Sequence, residues 1–174
     1  IYPVDFTKVE AVTNEMYRCT AKQGEYFARI TNYKSYDEQV EEVTYTNYLH
    51  KEGLGVSPTI VSINGKEVEK IILNNKEVLT VLYEAAPGKH LARIQWNATV
   101  LKELGRQIGK LHRLSRKFEE IHPTRYINDW YQNEEYAFLK YIPEEETKIR
   151  AVAQEILTKI QNIPKDNTNY GLLH

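Results

Sequence analysis

The chain has 174 residues, of which 41% are hydrophobic and 27% are charged, and its formal net charge at pH 7 is −1. This composition is typical of a soluble globular protein, and it gives no reason to expect nucleic acid or an anionic membrane as a partner. No apolar run reaches the ~18 residues that span a bilayer. The single cysteine, Cys19, cannot form an internal disulfide and fits a reducing compartment, so we expect a cytoplasmic protein.

Three strands are predicted at the start of the chain. Apolar residues recur at short spacing in Phe6–Val12, Glu15–Thr20 and Tyr26–Thr31, and the turn Thr13-Asn14 separates the first two. These segments predict an antiparallel meander. Arg29 lies inside the third strand, where a charge is unfavourable unless it has a partner.

A helix is predicted after the third strand. Ser35 and Glu38 have the spacing of a capping box, in which each side chain bonds the backbone amide of the other residue. The helix is expected to run from Tyr36 to about His50, with Gly53 as its C-terminal stop.

Two apolar stripes compete on this helix. Glu42 shares one stripe with Tyr45 and Leu49, which would direct its carboxylate toward packed surface. Val40 and Val43 mark the other stripe. The pattern alone leaves both orientations open.

The next segments predict more antiparallel strands. Thr59–Ile63 and Val68–Leu73 flank Asn64-Gly65, a strong hairpin signal, and Asn74-Asn75 predicts the turn before Val78–Tyr83. We therefore expect five or six antiparallel strands with one helix inserted after the third.

The chain changes character at Ala86-Pro87-Gly88, after the strand Val78–Tyr83. A buried strand that ends at proline and glycine fits a hinge between two lobes, and clefts between lobes commonly bind small molecules. An ordinary core strand followed by a turn is the alternative. The hinge interpretation divides the chain into residues 1–86 and 87–174.

The second half is predicted to be helical. Asn128 or Asp129 is expected to cap a tyrosine-rich helix that ends before Pro143, and Pro143 is expected in the first turn of the next helix. Two sets of apolar residues at helical spacing mark the first and last of these helices: Leu101, Leu104, Ile108 and Leu111, then Ile149, Val152, Ile156, Ile160 and Ile163.

Common catalytic motifs are absent from the sequence. It contains no Walker phosphate loop, no dinucleotide-binding glycine fingerprint and no serine nucleophile elbow. The histidines do not form pairs at metal-ligand spacing. Any site must therefore be assembled in three dimensions, and Arg29, Glu42 and the hinge are the candidates.

Several segments, taken in order, are similar to the small-molecule branch of the protein-kinase fold, which includes aminoglycoside phosphotransferases, choline kinases and a homoserine-kinase-like group. The resemblance spans nearly the whole chain. It rests on an Asn-x-x-Tyr segment, a strand with a cation, a helix with an acid, a hinge, a long helix and the approach to a His-Gly-Asp loop: Asn14–Cys19, Tyr26–Ile30, Glu42, Tyr83–Gly88, Leu104–His112 and Tyr170–His174.

This resemblance implies an α+β, protein-kinase-like fold with a sheet-based nucleotide-binding lobe and the beginning of a helical lobe. It implies transfer of the γ-phosphoryl group of ATP to a hydroxyl of a small molecule. Arg29 would hold phosphates, Glu42 would hold Arg29, and amides near Glu84–Ala86 would bond adenine. Residues near the nucleotide would include Asn14 and the apolar walls Val12, Ala28, Ile60 and Leu82.

The same residues also have simpler interpretations. Arg29 and Glu42 could form a solvated surface pair worth less than about 1 kcal/mol. A non-catalytic binding or scaffold module with a kinase-like lobe is the alternative function, and it is favoured by the absence of glycine from the first turn.

The resemblance also implies where the catalytic residues are expected. His174 would be the histidine of the His-Gly-Asp loop, so the catalytic aspartate and the Mg2+ ligands are expected beyond residue 174. We expect these 174 residues to lack phosphotransfer activity, to bind nucleotide weakly and to self-associate through exposed apolar helices. The acceptor stays open among homoserine, choline, an aminoglycoside and a protein hydroxyl, although Arg29 favours the first two groups.

Overall fold

Six strands form one antiparallel sheet in the computed structural model, which describes residues 1–123, 125–126, 129–132, 137–166 and 169–171. The sheet order is β1-β2-β3-β6-β4, and β5 also pairs with β6. This arrangement confirms the predicted sheet with one helix after its third strand. The strands are β1 Phe6–Ala11, β2 Met16–Ala21, β3 Gly24–Thr31, β4 Thr59–Ile60, β5 Glu69–Leu73 and β6 Lys76–Glu84.

The long strand β6 organises the sheet. One edge of β6 pairs with β3, and its other edge pairs with β5 near the start and with β4 near the end. The tight turn between β5 and β6 has Asn74 and Asn75 at φ 50° and 60°, the left-handed conformation that asparagine tolerates. This turn agrees with the sequence prediction.

The predicted hairpin across Asn64-Gly65 is wrong, because β4 and β5 both pair with β6 and not with each other. The turn itself is present, with the Ser62 amide donating to the Lys66 carbonyl at 2.8 Å. Buried Glu69 accepts hydrogen bonds from Ser62 Oγ at 2.6 Å and from Asn64 Nδ2 at 2.8 Å. Side chains therefore close this turn locally, and no strand pairing is required.

Helix α1, Tyr36–Lys51, begins and ends as predicted. Ser35 Oγ accepts from the Glu38 amide, and the Ser35 amide donates to the Glu38 carboxylate. At the other end Gly53 has φ 75°, its amide donates to His50, and the Leu54 amide donates to Leu49. These two bonds form a Schellman motif, which satisfies the last carbonyls of the helix.

Both predicted stripes of α1 face packed surface, because the helix packs on two sides. Val43 joins a core with Val68, Leu79 and Val81. Tyr45 instead faces helix α2, Ala98–Ile121, where its hydroxyl lies 2.5 Å from Ser115 Oγ. The helix therefore uses both stripes, one against the core of the sheet and the other against α2.

The chain divides into two compact units, residues 1–126 and 127–174. The first contains the sheet, α1, α2 and a short 3-10 helix at Arg93–Gln95. The second contains α3, Thr147–Gln161, and short 3-10 helices at Trp130–Gln132 and Phe138–Tyr141. The division into lobes between residues 86 and 87 stays a prediction.

Two predictions in the second unit need correction. Asn128 lies outside the described residues, but Asp129 precedes a 3-10 helix, so the tyrosine-rich α-helix is wrong for the described part of this segment. Pro143 lies in the turn before α3, and its carbonyl accepts from the Glu146 amide. The helix therefore starts four residues later than proline, at Thr147.

The helices of the described segments include none that is long and apolar enough to span a bilayer.

Candidate functional site

An ion pair between Arg29 and Glu42 joins the sheet to helix α1. Arg29 lies on β3 opposite Val81 of β6, and its Nη1 is 2.5 Å from Glu42 Oε1. The exposed fractions of the two side chains are 21% and 11%, so the pair is largely shielded from water. This burial argues against the solvated surface pair that was the alternative.

Further polar groups hold the two residues. Arg29 Nη2 donates to the Tyr33 hydroxyl at 3.0 Å, and that hydroxyl donates to Glu15 Oε2 at 3.1 Å. Arg29 Nε also lies 3.7 Å from the same Glu15 oxygen. The second oxygen of Glu42 contacts Lys34 Nζ. Arg29 is thus restrained by two carboxylates, and Glu42 by two cations.

Burial and charge shift two pKa values in this network. Burial works against the charge on Arg29, but the Glu42 carboxylate and the Tyr33 hydroxyl outweigh it, so the pKa of Arg29 is raised. Burial, followed by the negative charge of Glu42, raises the pKa of Tyr83 to about 12. Arg29 therefore stays charged and Tyr83 stays neutral at physiological pH.

The ion pair lies at the wall of a cleft of about 440 Å³ within the first unit. One side of the cleft is formed by the turn between β1 and β2, and the other by the end of β6 and the following hinge. Its lining residues are Thr13, Glu15, Met16, Phe27, Arg29, Glu42, Thr46, Ser57, Tyr83, Glu84 and Ala86.

Adenine was expected to bond amides in the segment Glu84–Ala86. Two of these three amides are already bonded within the protein. The Glu84 amide donates to the Pro58 carbonyl at 3.0 Å, and the Ala85 amide donates to the Glu25 carbonyl at 3.2 Å. Ala86 lines the cleft. Its amide is therefore the candidate donor to a base, whereas Glu84 can offer its carbonyl as an acceptor.

Backbone amides in the turn between β1 and β2 are also bonded within the turn. Thr13 Oγ1 accepts from the amides of Glu15 and Met16, at 3.3 and 3.1 Å. The amides of Val12 and Thr13 donate to the Met16 carbonyl. A threonine hydroxyl therefore replaces the glycine-rich geometry that would leave amides pointing at phosphates.

Comparison with known proteins decides the family. The model of the phosphotransferase enzyme family matches residues 5–174, nearly the whole chain. The chain belongs to the phosphotransferase enzyme family. The family resemblance inferred from the sequence is thereby confirmed.

The chain is similar to an amicoumacin kinase of Bacillus subtilis strain 168, with 31% identity over 92% of this chain and 49% of the kinase. It spans about half the length of that curated relative. Among solved structures, it matches an amicoumacin kinase in complex with AMP-PNP, Ca2+ and Ami, with TM-score 0.84 and 24% identity over 99% of this chain and 54% of the other.

A second solved structure is a microcompartment-associated aminopropanol kinase, matched with TM-score 0.72 and 16% identity over 98% of this chain and 57% of the other. At this identity the likeness shows the fold. The predicted α+β, kinase-like fold is confirmed.

The structure brings some predicted site residues together and leaves others apart. Arg29, Glu42, Glu84 and Ala86 line the cleft. Asn14 is exposed in the turn between two lining residues, but it does not itself line the cleft. Any contact of Asn14 with nucleotide stays a prediction.

The expected apolar walls do not lie at this cleft. Leu82 is 0% exposed and pairs in register with Ala28 and Ile60. Since successive side chains of a strand alternate between faces, these three lie on the face opposite to Arg29. Val12, the fourth expected wall, is exposed and does not line the cleft.

The apolar lining instead comes from Phe27, Tyr83 and Met16. Phe27 and Tyr83 form a register pair on the face that carries Arg29. The signal was available in the sequence, because Phe27 is two residues before Arg29 and therefore shares its face. Glu15, which restrains Arg29 from the turn between β1 and β2, had no such local signal.

No group of three or more His, Cys, Asp or Glu side chains that could hold a metal ion occurs among the residues the structure describes. His174, the expected histidine of the catalytic loop, lies outside those residues.

Proposed function

We propose that this chain is the nucleotide-binding part of an ATP-dependent phosphotransferase that acts on a hydroxyl of a small molecule. The observation that carries the proposal is the largely shielded Arg29–Glu42 pair at the wall of the cleft. Arg29 is a forked, permanently charged donor, which suits phosphate oxygens. Glu42 keeps that donor oriented toward the cleft before nucleotide arrives.

The cleft has the chemical character that a nucleotide requires. Phe27 and Met16 offer apolar surface for a base, and the Ala86 amide and Glu84 carbonyl offer a donor and an acceptor at the hinge. Phosphates would then extend toward Arg29. Hinge contacts orient the base, and the guanidinium positions the phosphate chain, which is most of what a phosphotransferase contributes to catalysis.

The negative charge of the cleft favours binding of ATP together with a metal ion. Glu15, Glu42 and Glu84 line it together with Arg29, so carboxylates outnumber guanidinium groups. A triphosphate would enter this environment more readily with a divalent cation, and Mg2+ is the ion we expect. We assign no metal ligand to the described residues.

The test is the thermal stability of the full-length protein with and without ATP and Mg2+. A ligand at 100 times its dissociation constant should add about 2.7 kcal/mol of stability. Arg29→Ala should reduce ATP affinity at least about tenfold, because it removes a charge-assisted phosphate contact. Arg106→Ala is the matched control, since Arg106 is also paired with a carboxylate but lies exposed on α2.

Equal losses for Arg29→Ala and Arg106→Ala would remove Arg29 from the site. Calorimetry at one magnesium concentration gives the affinities directly, and circular dichroism checks that both variants are folded.

A non-catalytic nucleotide-binding or scaffold module is the second candidate. It is supported by the turn between β1 and β2, where Thr13 consumes amides that could otherwise bind phosphate. A full-length protein that is not stabilised by ATP and Mg2+ would favour the scaffold. Stabilisation without turnover of any hydroxyl acceptor would favour a nucleotide-binding module.

A further inference from the structure

Arg29 and Glu42 meet through one nitrogen of the guanidinium and one oxygen of the carboxylate. Arg29 Nη1 lies 2.5 Å from Glu42 Oε1, and no other hydrogen bond joins the two side chains in the described part of the chain. Arginine and carboxylate groups often pair through two parallel hydrogen bonds, which is the stronger geometry. The single contact therefore requires something that holds the second oxygen elsewhere.

Lys34 holds that second oxygen. It lies in the loop between β3 and α1, one residue before the helix cap Ser35. Its Nζ contacts Glu42 Oε2, the oxygen that Arg29 does not use. The Lys34 side chain is 26% exposed and that of Glu42 is 11% exposed, so the contact is largely shielded from water. Because Lys34 occupies Oε2, Glu42 cannot offer both oxygens to the guanidinium.

The remaining nitrogens of Arg29 have weaker partners. Nη2 donates to the Tyr33 hydroxyl at 3.0 Å, and Nε lies 3.7 Å from Glu15 Oε2. A guanidinium carries five N–H donors, and the bond to Glu42 uses one of them. Phosphate oxygens could therefore replace the partners of Nη2 and Nε while Glu42 keeps its hold on Nη1.

We propose that Lys34 is a positioning residue of the nucleotide site: by holding Glu42 Oε2, it limits Glu42 to one contact with Arg29 and leaves the other guanidinium donors to phosphate. This inference rests on the proposed function, because it concerns how the same cleft receives ATP. Lys34 is not among the described residues that line the cleft, so it acts through Glu42 and not on the nucleotide.

Loss of the Lys34 ammonium group should change the geometry of the ion pair. Glu42 Oε2 would lose its partner, and the carboxylate would turn so that both oxygens bond the guanidinium. Donors that phosphate needs would then be occupied by Glu42. Phosphate binding should weaken as a result, whereas contacts with the base and the sugar should not change.

The first experiment measures the affinity of the full-length protein for ATP and for adenosine by calorimetry at one magnesium concentration. Lys34→Met should weaken ATP binding by about threefold to tenfold and leave adenosine binding unchanged. Unchanged adenosine binding also shows that the cleft is folded. Lys34→Arg keeps a cation and should restore ATP binding. Lys70→Met is the matched control, because Lys70 also pairs with a carboxylate but is 50% exposed and does not line the cleft.

A double-mutant cycle separates action through Glu42 from direct attraction of phosphate by the lysine. In a Glu42→Gln background the carboxylate is gone, so Lys34→Met should cause no further loss of ATP affinity. A loss of the same size in both backgrounds would overturn the positioning role. Equal ATP affinity of Lys34→Met and the unmodified protein would overturn it as well.

A crystal structure of full-length Lys34→Met without nucleotide tests the geometry independently of ATP. Both oxygens of Glu42 should lie within hydrogen-bond distance of Arg29, and a retained single contact would overturn the proposal. The outcomes also distinguish this inference from the proposed function. An unmodified protein that does not bind ATP would refute the proposed function, and the crystal structure would still decide whether Lys34 sets the geometry of the pair.

Discussion

Glu15 is the second carboxylate beside Arg29, in addition to Glu42. It contacts Arg29 Nε at 3.7 Å and accepts from Tyr33, which in turn accepts from Arg29. A phosphate chain would compete with this carboxylate for the guanidinium. The residue that holds Arg29 from the side of the β1–β2 turn therefore also opposes the negative charge of a nucleotide.

Replacing Glu15 with glutamine should increase ATP affinity by about threefold to tenfold, because a neutral amide still fills the space but no longer repels phosphate. Calorimetry on the full-length protein measures the change. Glu25→Gln is a suitable control, since this exposed carboxylate is on β3 but does not line the cleft. Weaker ATP binding in Glu15→Gln would indicate that Glu15 assists the site.

Removing the Ala86 amide tests the hinge. Ala86→Pro should weaken ATP binding by about fivefold, through loss of one hydrogen bond worth ~1 kcal/mol. Ala86→Ser keeps the amide and serves as the control. Similar affinities for the two variants, measured by calorimetry, would exclude this amide as a base donor.

Tyr83 should make stability depend on pH in the alkaline range. Its folded pKa is raised to about 12, whereas an unfolded tyrosine titrates near about 10. The unfolded chain therefore releases this proton first, so the contribution is fully present below about pH 10 and is lost as pH rises toward about 12. Tyr83→Phe should flatten this part of the profile of unfolding free energy against pH, and an unchanged slope would contradict the assignment.

Among the secondary-structure elements, α1 determines where Glu42 lies relative to Arg29. The Ser35–Glu38 box and the Gly53 motif determine where the helix starts and stops, and Glu42 lies between them. Packing on both the sheet and α2 then fixes its rotation. The orientation of Glu42 toward Arg29 is thus a consequence of two caps and two packed faces.

Gly53→Ala should lower the free energy of unfolding by about 1–2 kcal/mol, because φ is 75° and an L side chain is strained there. Gly55→Ala is a matched control two residues away, since an added Cβ meets no atom within 4 Å. Chemical denaturation of both variants measures the difference. Equal stability of the two would show that the end of α1 adapts without strain.

At the scale of the whole molecule, the apolar side chains of α3 stand out. Ile149, Val152 and Ile156 are 54%, 56% and 50% exposed. Apolar surface of this kind favours association with other molecules. We therefore predict that the 174-residue chain self-associates through the exposed apolar residues of α3.

Sedimentation velocity should detect association of the 174-residue chain as its concentration rises. Ile156→Glu should shift the distribution toward monomer, because it places a charge within the apolar stripe. Gln161→Glu adds the same charge at the last residue of α3 and should change little. A monomer at every concentration would contradict the prediction.

The local features of this protein could be predicted from its sequence. The capping box, the stop at Gly53 and the Asn74-Asn75 turn were predictable, because each depends on residues a few positions apart. The cation of β3 and the acid of α1 were predictable as a pair from their order in the chain and the family resemblance. Strand alternation also predicts that Phe27 shares the face of Arg29, whereas Leu82 and its register partners Ala28 and Ile60 lie on the other face.

Contacts between groups that are distant in the sequence follow only from the folded arrangement of the chain. Pairing of β4 and β5 with β6 overrode the hairpin signal at Asn64-Gly65, because a long strand can bond several partners and side chains close the turn locally. Restraint of Arg29 by Glu15 and the meeting of Asp129 with Tyr170 join residues far apart in the sequence. Such contacts have no periodicity to reveal them, since they arise only when separate segments fold to the same place.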